Sequence, residues 1–287
     1  MTIAIYGSRR QEPYLAKLLV FFRLLSAAGA RIVMFKRLYD SLVDLGASEM
    51  ASLVAQVVDD SDFSADVALS IGGDGTFLRT AMWVGQKQIP VLGINTGHLG
   101  YLSAASIDDL PAVAAELLDG NYAVERRSLL HVLEPSLPDM WPYALNEVAV
   151  SKEQDASVII AETSINGSPL ANYRADGVIV CTPTGSTAYN LSVGGPILQP
   201  MAPVWCISPI AAHTLGLRPL VVQDIAGIDI TVHGRALTFR IALDGRAATL
   251  PTGTTVKVRR APFCVHLIER PGHAFPAALR KKLHWSE

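Results

Sequence analysis

Residues 71–80 read Ile-Gly-Gly-Asp-Gly-Thr-Phe-Leu-Arg-Thr. An apolar run, Val67 to Ile71, leads straight into Gly72-Gly73-Asp74-Gly75-Thr76, and a helical pattern over Phe77 to Gln86 follows. Three glycines in four positions let the backbone turn sharply and approach a ligand closely. Backbone amides in such a turn, with a helix N-terminus behind them, favour an anion such as phosphate. Asp74 is expected in the middle of that turn. A carboxylate amid phosphate-binding amides reads as a base, a metal ligand or both. The competing reading is a plain strand-to-helix turn in which Asp74 or Thr76 caps the helix.

Working outward, the chain up to Gly120 alternates short apolar strands with amphipathic helices. Strands are predicted at Thr2–Tyr6, Arg31–Phe35, Val67–Ile71 and Pro90–Ile94, and helices at Tyr14–Ala28, Ser48–Val58, Phe77–Gln86 and Asp108–Leu118. Gly29 and Gly120 stand where C-terminal caps belong. The alternation predicts an α/β domain over 1–120: a mostly parallel sheet with helices on both faces.

After Gly120 the pattern changes to strands. They are predicted at Leu129–Leu133, Ala144–Val150, Ser157–Ile165, Val178–Thr182, Val204–Ile207, Leu220–Val222, Gly227–His233, Leu237–Leu243, Thr255–Arg259 and Val265–Arg270. Asn166-Gly167 between two strand runs signals a hairpin. Residues 121–270 therefore read as a β-rich domain of layered sheets. Within 271–287, Phe275–Leu283 reads as a short basic helix packing back on the first domain.

Composition narrows the function classes. A chain of 287 residues, 50% of them hydrophobic, buries a sizeable core without staples. Its formal net charge of -2 gives no general pull toward nucleic acid or an anionic membrane. Mean hydropathy is high, +0.30. Yet no uninterrupted apolar stretch is long enough to span a bilayer, and the most apolar helix candidate carries Lys17 and Arg23. The opening Ile3-Ala4-Ile5-Tyr6 is a strand pattern with no signal-like segment, which predicts a cytoplasmic protein. Cys181, Cys206 and Cys264 are scattered in apolar surroundings, the pattern of small buried hydrophobes rather than of disulfides or zinc. The chain has no Gly-x-Gly-x-x-Gly after its first strand, no P-loop, no His-Glu-x-x-His and no Gly-x-Ser-x-Gly. Phosphate chemistry would use another apparatus.

A second constellation lies between Asn172 and Pro196. The apolar Val178–Val180 is followed by a hydroxyl-rich loop in which Thr184, Ser186 and Thr187 surround Gly185. Small residues with hydroxyls and accessible amides suit a nucleoside or phosphate lying against backbone. Tyr189 offers a face for a flat base. A helix cap at Thr187 with Tyr189 in the core is the alternative. Asn146-Glu147 sits in an alternating strand, where neighbours face opposite sides. Both can meet one ligand only at a strand end or a bulge.

Together these segments resemble the NAD kinase family. The resemblance rests on Gly72-Gly73-Asp74-Gly75-Thr76, Gly93-Ile94-Asn95, Gly97-His98-Leu99-Gly100-Tyr101-Leu102, Leu145-Asn146-Glu147 and Asp176-Gly177. It continues through Thr182-Pro183-Thr184-Gly185-Ser186-Thr187-Ala188-Tyr189, Leu191-Ser192, Gly194-Gly195-Pro196-Ile197 and Arg218-Pro219-Leu220. Gly-Gly-Asp-Gly alone is shared with lipid kinases and, in related form, with sugar-phosphate kinases; the Thr182–Tyr189 run narrows the choice.

The resemblance implies an α/β domain followed by a β-sandwich-like domain, and transfer of the terminal phosphoryl of ATP to the adenosine 2′-hydroxyl of NAD. It implies Asp74 as general base with Gly75 in the same turn, and Arg79 as a phosphate contact. Asn146 and Glu147 become ligands of the NAD nucleosides, with Asp176, and Arg174 nearby, on the nicotinamide side. Thr187, Ala188, Tyr189, Asn190, Leu191 and Ser192 fall around the adenine and ribose. Thr184 and Arg246 are further candidates; Arg246 stands where the family often has Gln. A divalent cation, usually magnesium, would accompany ATP, and the protein would be a homodimer or homotetramer. His98 and His213 read as loop contacts, and Arg9-Arg10 as surface charge. The rivals are another small-molecule kinase acting on lipid or sugar, and a non-catalytic NAD sensor.

Overall fold

The computed structural model describes residues 1–9, 11–97, 100–153 and 158–285. The chain divides into two compact units: Met1–Arg126 with Val265–Glu287, and Arg127–Cys264. The sequence pattern changes at Gly120 and again at 270, because that is where helices stop and resume. Strands change partners a few residues away, so the ends of two long strands run with the first unit.

In the first unit the elements follow one another as β1 (Thr2–Gly7), α1 (Leu15–Ala27), β2 (Arg31–Phe35), α2 (Lys36–Asp44), α3 (Met50–Leu53), β3 (Gln56–Val58), β4 (Val67–Ile71), α4 (Asp74–Val84), β5 (Val91–Asn95), β6 (Ala105–Ser106) and α5 (Leu110–Asp119). The strands pair in parallel in the order β3-β2-β1-β4-β5. Alternate residues serve opposite faces of the sheet. Ile3, Ile5, Val67 and Leu69 join one core with Phe21 and Phe22 of α1, Leu38 of α2 and Val113 of α5. On the other face α4 brings Trp83 against Phe35 and Phe63, with ring centroids 5.6 and 4.0 Å apart. Helices thus cover both faces, as the alternation predicts.

Three local expectations change. Ser48–Val58 is not one helix: four residues are helical, and Gln56–Val58 joins the edge of β2. The β-branched Val57 and Val58 suit a strand, and pairing satisfies backbone groups that β2 would otherwise leave open. Lys36–Asp44 forms an unforeseen helix that buries Leu38 and Leu42, one turn apart. Helix α4 begins at Asp74 rather than Phe77, since Thr76 and Phe77 already donate to the Gly73 carbonyl (2.8 and 3.1 Å).

The order of strands places the glycine turn. The chain proceeds from β1 outward to β2 and β3, then returns to lay β4 on the opposite side of β1. The carboxyl ends of β1 and β4 therefore flank a topological switch point, where ligands bind in open α/β sheets. Gly72-Gly73-Asp74 is the segment leaving β4.

The second unit holds two antiparallel layers. Its strands are β7 (Ala123–Glu134), β8 (Tyr143–Ala144), β9 (Glu147–Lys152), β10 (Ile159–Ile165), β11 (Ser168–Ala175), β12 (Gly177–Cys181), β13 (Val204–Ile210), β14 (Leu220–Gln223), β15 (Ile228–His233), β16 (Thr238–Leu243), β17 (Arg246–Pro251) and β18 (Thr255–Glu269), with a short helix α6 (Tyr189–Ser192) before β13. One layer orders β14-β13-β12-β9-β16-β17; the other contains β11-β10-β15-β18 with β7 and β8. Val150, Val180 and Ile241 from the first layer meet Ile230, Val232 and Val256 from the second in a single buried cluster. This is the sandwich-like domain that the resemblance implies.

The Asn166-Gly167 hairpin forms, with both φ angles positive (50° and 79°). Two corrections follow. The predicted strand Ala144–Val150 is broken: Tyr143–Ala144 pairs with β7, while Glu147–Lys152 belongs to the other layer. The strands predicted at Thr255–Arg259 and Val265–Arg270 are one strand, β18, which ends at Glu269. Strand β17 was not foreseen, because its small and polar residues carry no apolar alternation. The final helix α7, Phe275–Leu283, matches its predicted span and lies in the first unit. Cys181 and Cys206 are buried and Cys264 is half-buried; all three are free. No helix among the described residues is long and apolar enough to cross a membrane.

Candidate active site

In the first unit the site is built from a turn that only glycine can make. Gly72 has φ +151°, and a Cβ there would overlap the Thr76 side chain. Neither Asp74 nor Thr76 caps α4, so the capping alternative is not realised. Asp74 is the first helical residue; helix geometry leaves its own amide and that of Gly75 without an intrahelical acceptor, while the Thr76 amide bonds the Gly73 carbonyl. Its carboxylate instead turns to a second loop. The Tyr101 amide donates to Oδ2 (2.8 Å) and the Leu102 amide to Oδ1 (3.2 Å). That approach requires Gly100, where a Cβ would overlap the carboxylate itself.

The carboxylate is thus held by two backbone donors and stays one-third exposed. Lys282 of α7 brings its Nζ to 4.0 Å from Oδ2 and 3.8 Å from the Tyr101 ring centroid. Burial pushes the Lys282 pKa down, with the Asp74 charge opposing. Arg79, one turn along α4, is exposed and donates to Thr76 Oγ1 (3.3 Å). Its guanidinium lies 4.0 Å from where a Gly75 Cβ would stand. His98 lies outside the described residues, as does Arg10. A fixed carboxylate, first-turn amides and two cations around a glycine turn can hold a phosphate and take a proton from a nearby hydroxyl.

In the second unit the organising residue is Asp244, which the sequence reading passed over. It is 4% exposed and accepts from the Leu145, Asn146 and Glu147 amides (2.8, 2.8 and 3.2 Å). Burial raises its pKa, and these bonds oppose the rise. Asp244-Gly245 is the tight turn between β16 and β17, with φ +48° and +80°. The clasp explains why the predicted strand breaks at Leu145-Asn146: the amides there bond a carboxylate rather than a neighbouring strand. The break also answers how Asn146 and Glu147 could serve one ligand, since Asn146 lies outside the strand and Glu147 is the first residue of β9.

Glu147 is buried, and its Oε2 has no hydrogen-bond partner among the described residues. Burial, then the charge of Asp244, push its pKa up to about 7, against a hydrogen bond from the Tyr189 amide. Thr182 braces the same turn: its hydroxyl donates to the Leu145 carbonyl (2.5 Å) and its amide to the Asn146 carbonyl (2.9 Å). Gly185 lies so close to the Asn146 backbone that a Cβ would overlap it.

Glu147 and Tyr189 line a cleft of 810 Å³ with Ser151, Lys152 and Arg240 at its sides and Ala149 and Ala242 among its small lining residues. Tyr189 is 42% exposed there, so it is not a core residue. Asp176 is ion-paired to Lys152 (2.8 Å) and thereby adjoins this cleft. Thr187, Ala188 and Leu191 are half-buried, and Ser192 is exposed.

Other expected residues are turned elsewhere. Asn190 is fully buried; it donates to the Pro196 carbonyl (3.0 Å) and accepts from the Ser208 hydroxyl (2.6 Å). Its side chain shapes the Tyr189–Ser192 segment from within. The buried Thr184 hydroxyl accepts from Arg127 (3.4 Å). Arg246 donates to the Trp141 and Tyr143 carbonyls (both 2.7 Å) and lies over the Trp141 ring. It supports the backbone that leads into the Asp244 clasp. Arg174 lines a separate pocket with His213.

Residues 19–122 match the model of the ATP-NAD kinase N-terminal domain, and residues 145–270 that of the ATP-NAD kinase C-terminal domain. The chain belongs to the NAD kinase family. It is 41% identical over 288 residues to an NAD kinase of Bacteroides fragilis, spanning 99% of this chain and 98% of that one. An NAD kinase of Porphyromonas gingivalis is 40% identical over 286 residues, spanning 99% and 97%. Among solved structures the fold is shared with a yeast NADH kinase complexed with NADH, at a TM-score of 0.85 and 21% identity over 100% of this chain and 88% of that chain. It is also shared with an NAD kinase from Archaeoglobus fulgidus in complex with ATP, at a TM-score of 0.75 and 23% identity over 99% of each. The family's two domain models fall on the two units, one on the Asp74 turn and the other on the Glu147 cleft.

Proposed function

We propose that this protein is an NAD kinase that moves the terminal phosphoryl of ATP to the 2′-hydroxyl of the adenosine ribose of NAD, with Asp74 as general base. The observation that carries the reading is the Asp74 carboxylate, pinned by two amides at the switch point of the sheet in a chain about 40% identical to curated NAD kinases. Pure binding of NAD needs no such carboxylate, which argues against a sensor.

The ribose oxygen attacks phosphorus, the bond from phosphorus to the bridging oxygen of ADP breaks, and the hydroxyl proton passes to Asp74. Positioned proton acceptance contributes typically ~10²–10⁴-fold, about 3–5 kcal/mol of barrier. The transition state is loose, so proton transfer is late and positioning dominates. Two backbone donors and Gly100 supply that positioning, because they leave the carboxylate little freedom to rotate. The first-turn amides of α4 and Arg79 suit the phosphates of ATP. Asn146, Glu147, Asp176 and the Thr187–Ser192 segment hold NAD, with the exposed Tyr189 ring against a flat base.

Among the described residues no group of three or more His, Cys, Asp or Glu could cage a metal. That fits magnesium, which binds through substrate phosphates and one or two carboxylates. Asp74 is the side chain that would share it, and the cation would neutralise charge on the phosphates. We propose a cytoplasmic protein that is a homodimer or homotetramer; gel filtration of the purified protein checks the oligomeric state.

The test is NADP formation from ATP, magnesium and NAD. Asp74→Asn is expected to keep the fold and NAD affinity and to lose ~10²–10⁴-fold in kcat. Near-normal turnover at saturating substrates rejects Asp74 as base; turnover of lipid or sugar but not NAD rejects the assignment.

A further inference from the structure

We propose that Lys282, carried by the last helix, is a catalytic residue of this reaction: its ammonium contacts the phosphoryl group in transfer. The inference rests on the NAD kinase reading and adds to it a residue far along the chain. Helix α7 is anchored by the buried Ala278 and Leu279. Lys282, three residues after Leu279, projects from the same side of the helix. It is 18% exposed, whereas Lys17 and Lys36 of the same unit are 54% exposed. Its Nζ sits over the Tyr101 ring and 4.0 Å from Asp74 Oδ2. The amide of that same Tyr101 donates to Oδ2. One residue therefore seats both the anion and the cation.

This placement has a geometric consequence. A hydroxyl held by Asp74 lies about 2.6–3.2 Å from its carboxylate. The phosphorus that it attacks lies about 3–3.5 Å beyond. Phosphoryl oxygens brought to that point fall within the reach of a cation that starts 4.0 Å from the same carboxylate. The ammonium carries three donors, so it can keep Asp74 and still bond a phosphoryl oxygen. Lysine acts here as a point charge on a flexible stem. It remains protonated throughout; the proton of the ribose hydroxyl goes to Asp74, and the electron pair of the broken bond leaves with ADP. A desolvated cation aimed at charge developing on the phosphoryl oxygens is worth most in the transition state.

The experiment compares Lys282→Ala, Lys282→Gln and Lys282→Arg with Lys281→Ala, whose residue is exposed on the same helix. Steady-state NADP formation is measured with both substrates varied, beside thermal unfolding of each variant. Loss of one such donor costs roughly 10²–10³-fold in kcat. Lys282→Ala and Lys282→Gln are expected to show that loss with the KM for NAD within about threefold of wild type. Lys282→Arg, which keeps the charge, recovers at least tenfold of it, and Lys281→Ala matches wild type. Wild-type turnover together with a Lys282→Ala kcat within threefold of it overturns the proposal alone. So does a loss equal in all three Lys282 variants that follows their unfolded fraction. A wild-type chain that makes no NADP overturns the functional reading and this proposal with it.

Discussion

Glu147→Gln should stabilise the unliganded protein, and do so more at alkaline pH. The carboxyl is buried, one oxygen has no partner among the described residues, and its pKa is raised from 4.5 to about 7. A carboxyl whose folded pKa exceeds its unfolded value binds a proton more tightly in the native state. Its contribution is fully present below about pH 4.5 and is lost as pH rises through about 7. A shift of that size corresponds to about 3 kcal/mol, at 1.36 kcal/mol per unit. Glutamine keeps the shape of the neutral acid and does not titrate. The gain of Glu147→Gln over wild type should therefore grow by roughly 2–3 kcal/mol between pH 5 and pH 8. Removing this charge also relieves Asp244, whose pKa is likewise raised by burial. At roughly 2–4 °C per kcal/mol, the Tm difference should widen by about 5 °C or more across that range. Calorimetry at pH 5, 6, 7 and 8 without nucleotide measures it. A Tm difference that is flat or narrows toward pH 8 refutes the reasoning, because it would mean that Glu147 is ionised or solvated in the folded protein.

Asp244→Ala should cost about 3 kcal/mol or more, since it leaves the amides of Leu145, Asn146 and Glu147 without their acceptor at roughly 1–3 kcal/mol each. It should also raise the KM for NAD more than it lowers kcat, and unchanged unfolding and KM would sink the clasp. Gly100→Ala, whose new methyl overlaps the Asp74 carboxylate, should lower kcat by roughly 10²-fold, the scale of a misplaced catalytic group. Wild-type kcat in that variant would show that the loop carrying Tyr101 need not lie against Asp74.

The parallel half of the fold was legible because its signals are local. A five-residue apolar run, a cluster of glycines and a helical period each announce themselves within one window, and Arg31–Phe35 and Val67–Ile71 fall where the pattern puts them. The misreadings share a cause in pairing. Gln56–Val58 is a strand because β2 has an open edge, not because three residues prefer it. Arg246–Pro251 pairs with β16 through a turn, Asp244-Gly245, whose positive φ angles are the usual signature of a two-residue hairpin. That signal was available and would have recovered β17.

The site divides along the same line. Candidate ligand contacts in short, glycine-rich or hydroxyl-rich strings can be picked from sequence: within the first unit Asp74 is held by the Tyr101 and Leu102 amides, and within the second Glu147 and Tyr189 line one cleft. Residues that hold those residues cannot, because one Asp or Lys among many carries no local mark. Asp244 reaches back to the amides of Leu145, Asn146 and Glu147, and Lys282 reaches from the last helix to Asp74. Asn190 shows the converse. It lies inside the hydroxyl-rich string and looks like a ligand contact, yet both ends of its amide are occupied within the fold. A polar residue in a motif thus has two destinations, and burial separates them. At 0% exposure with its bonds satisfied, Asn190 builds the wall. Glu147, at 8% exposure with Oε2 unpartnered among the described residues, still has a bond to give, and a ligand hydroxyl is one partner that would complete it.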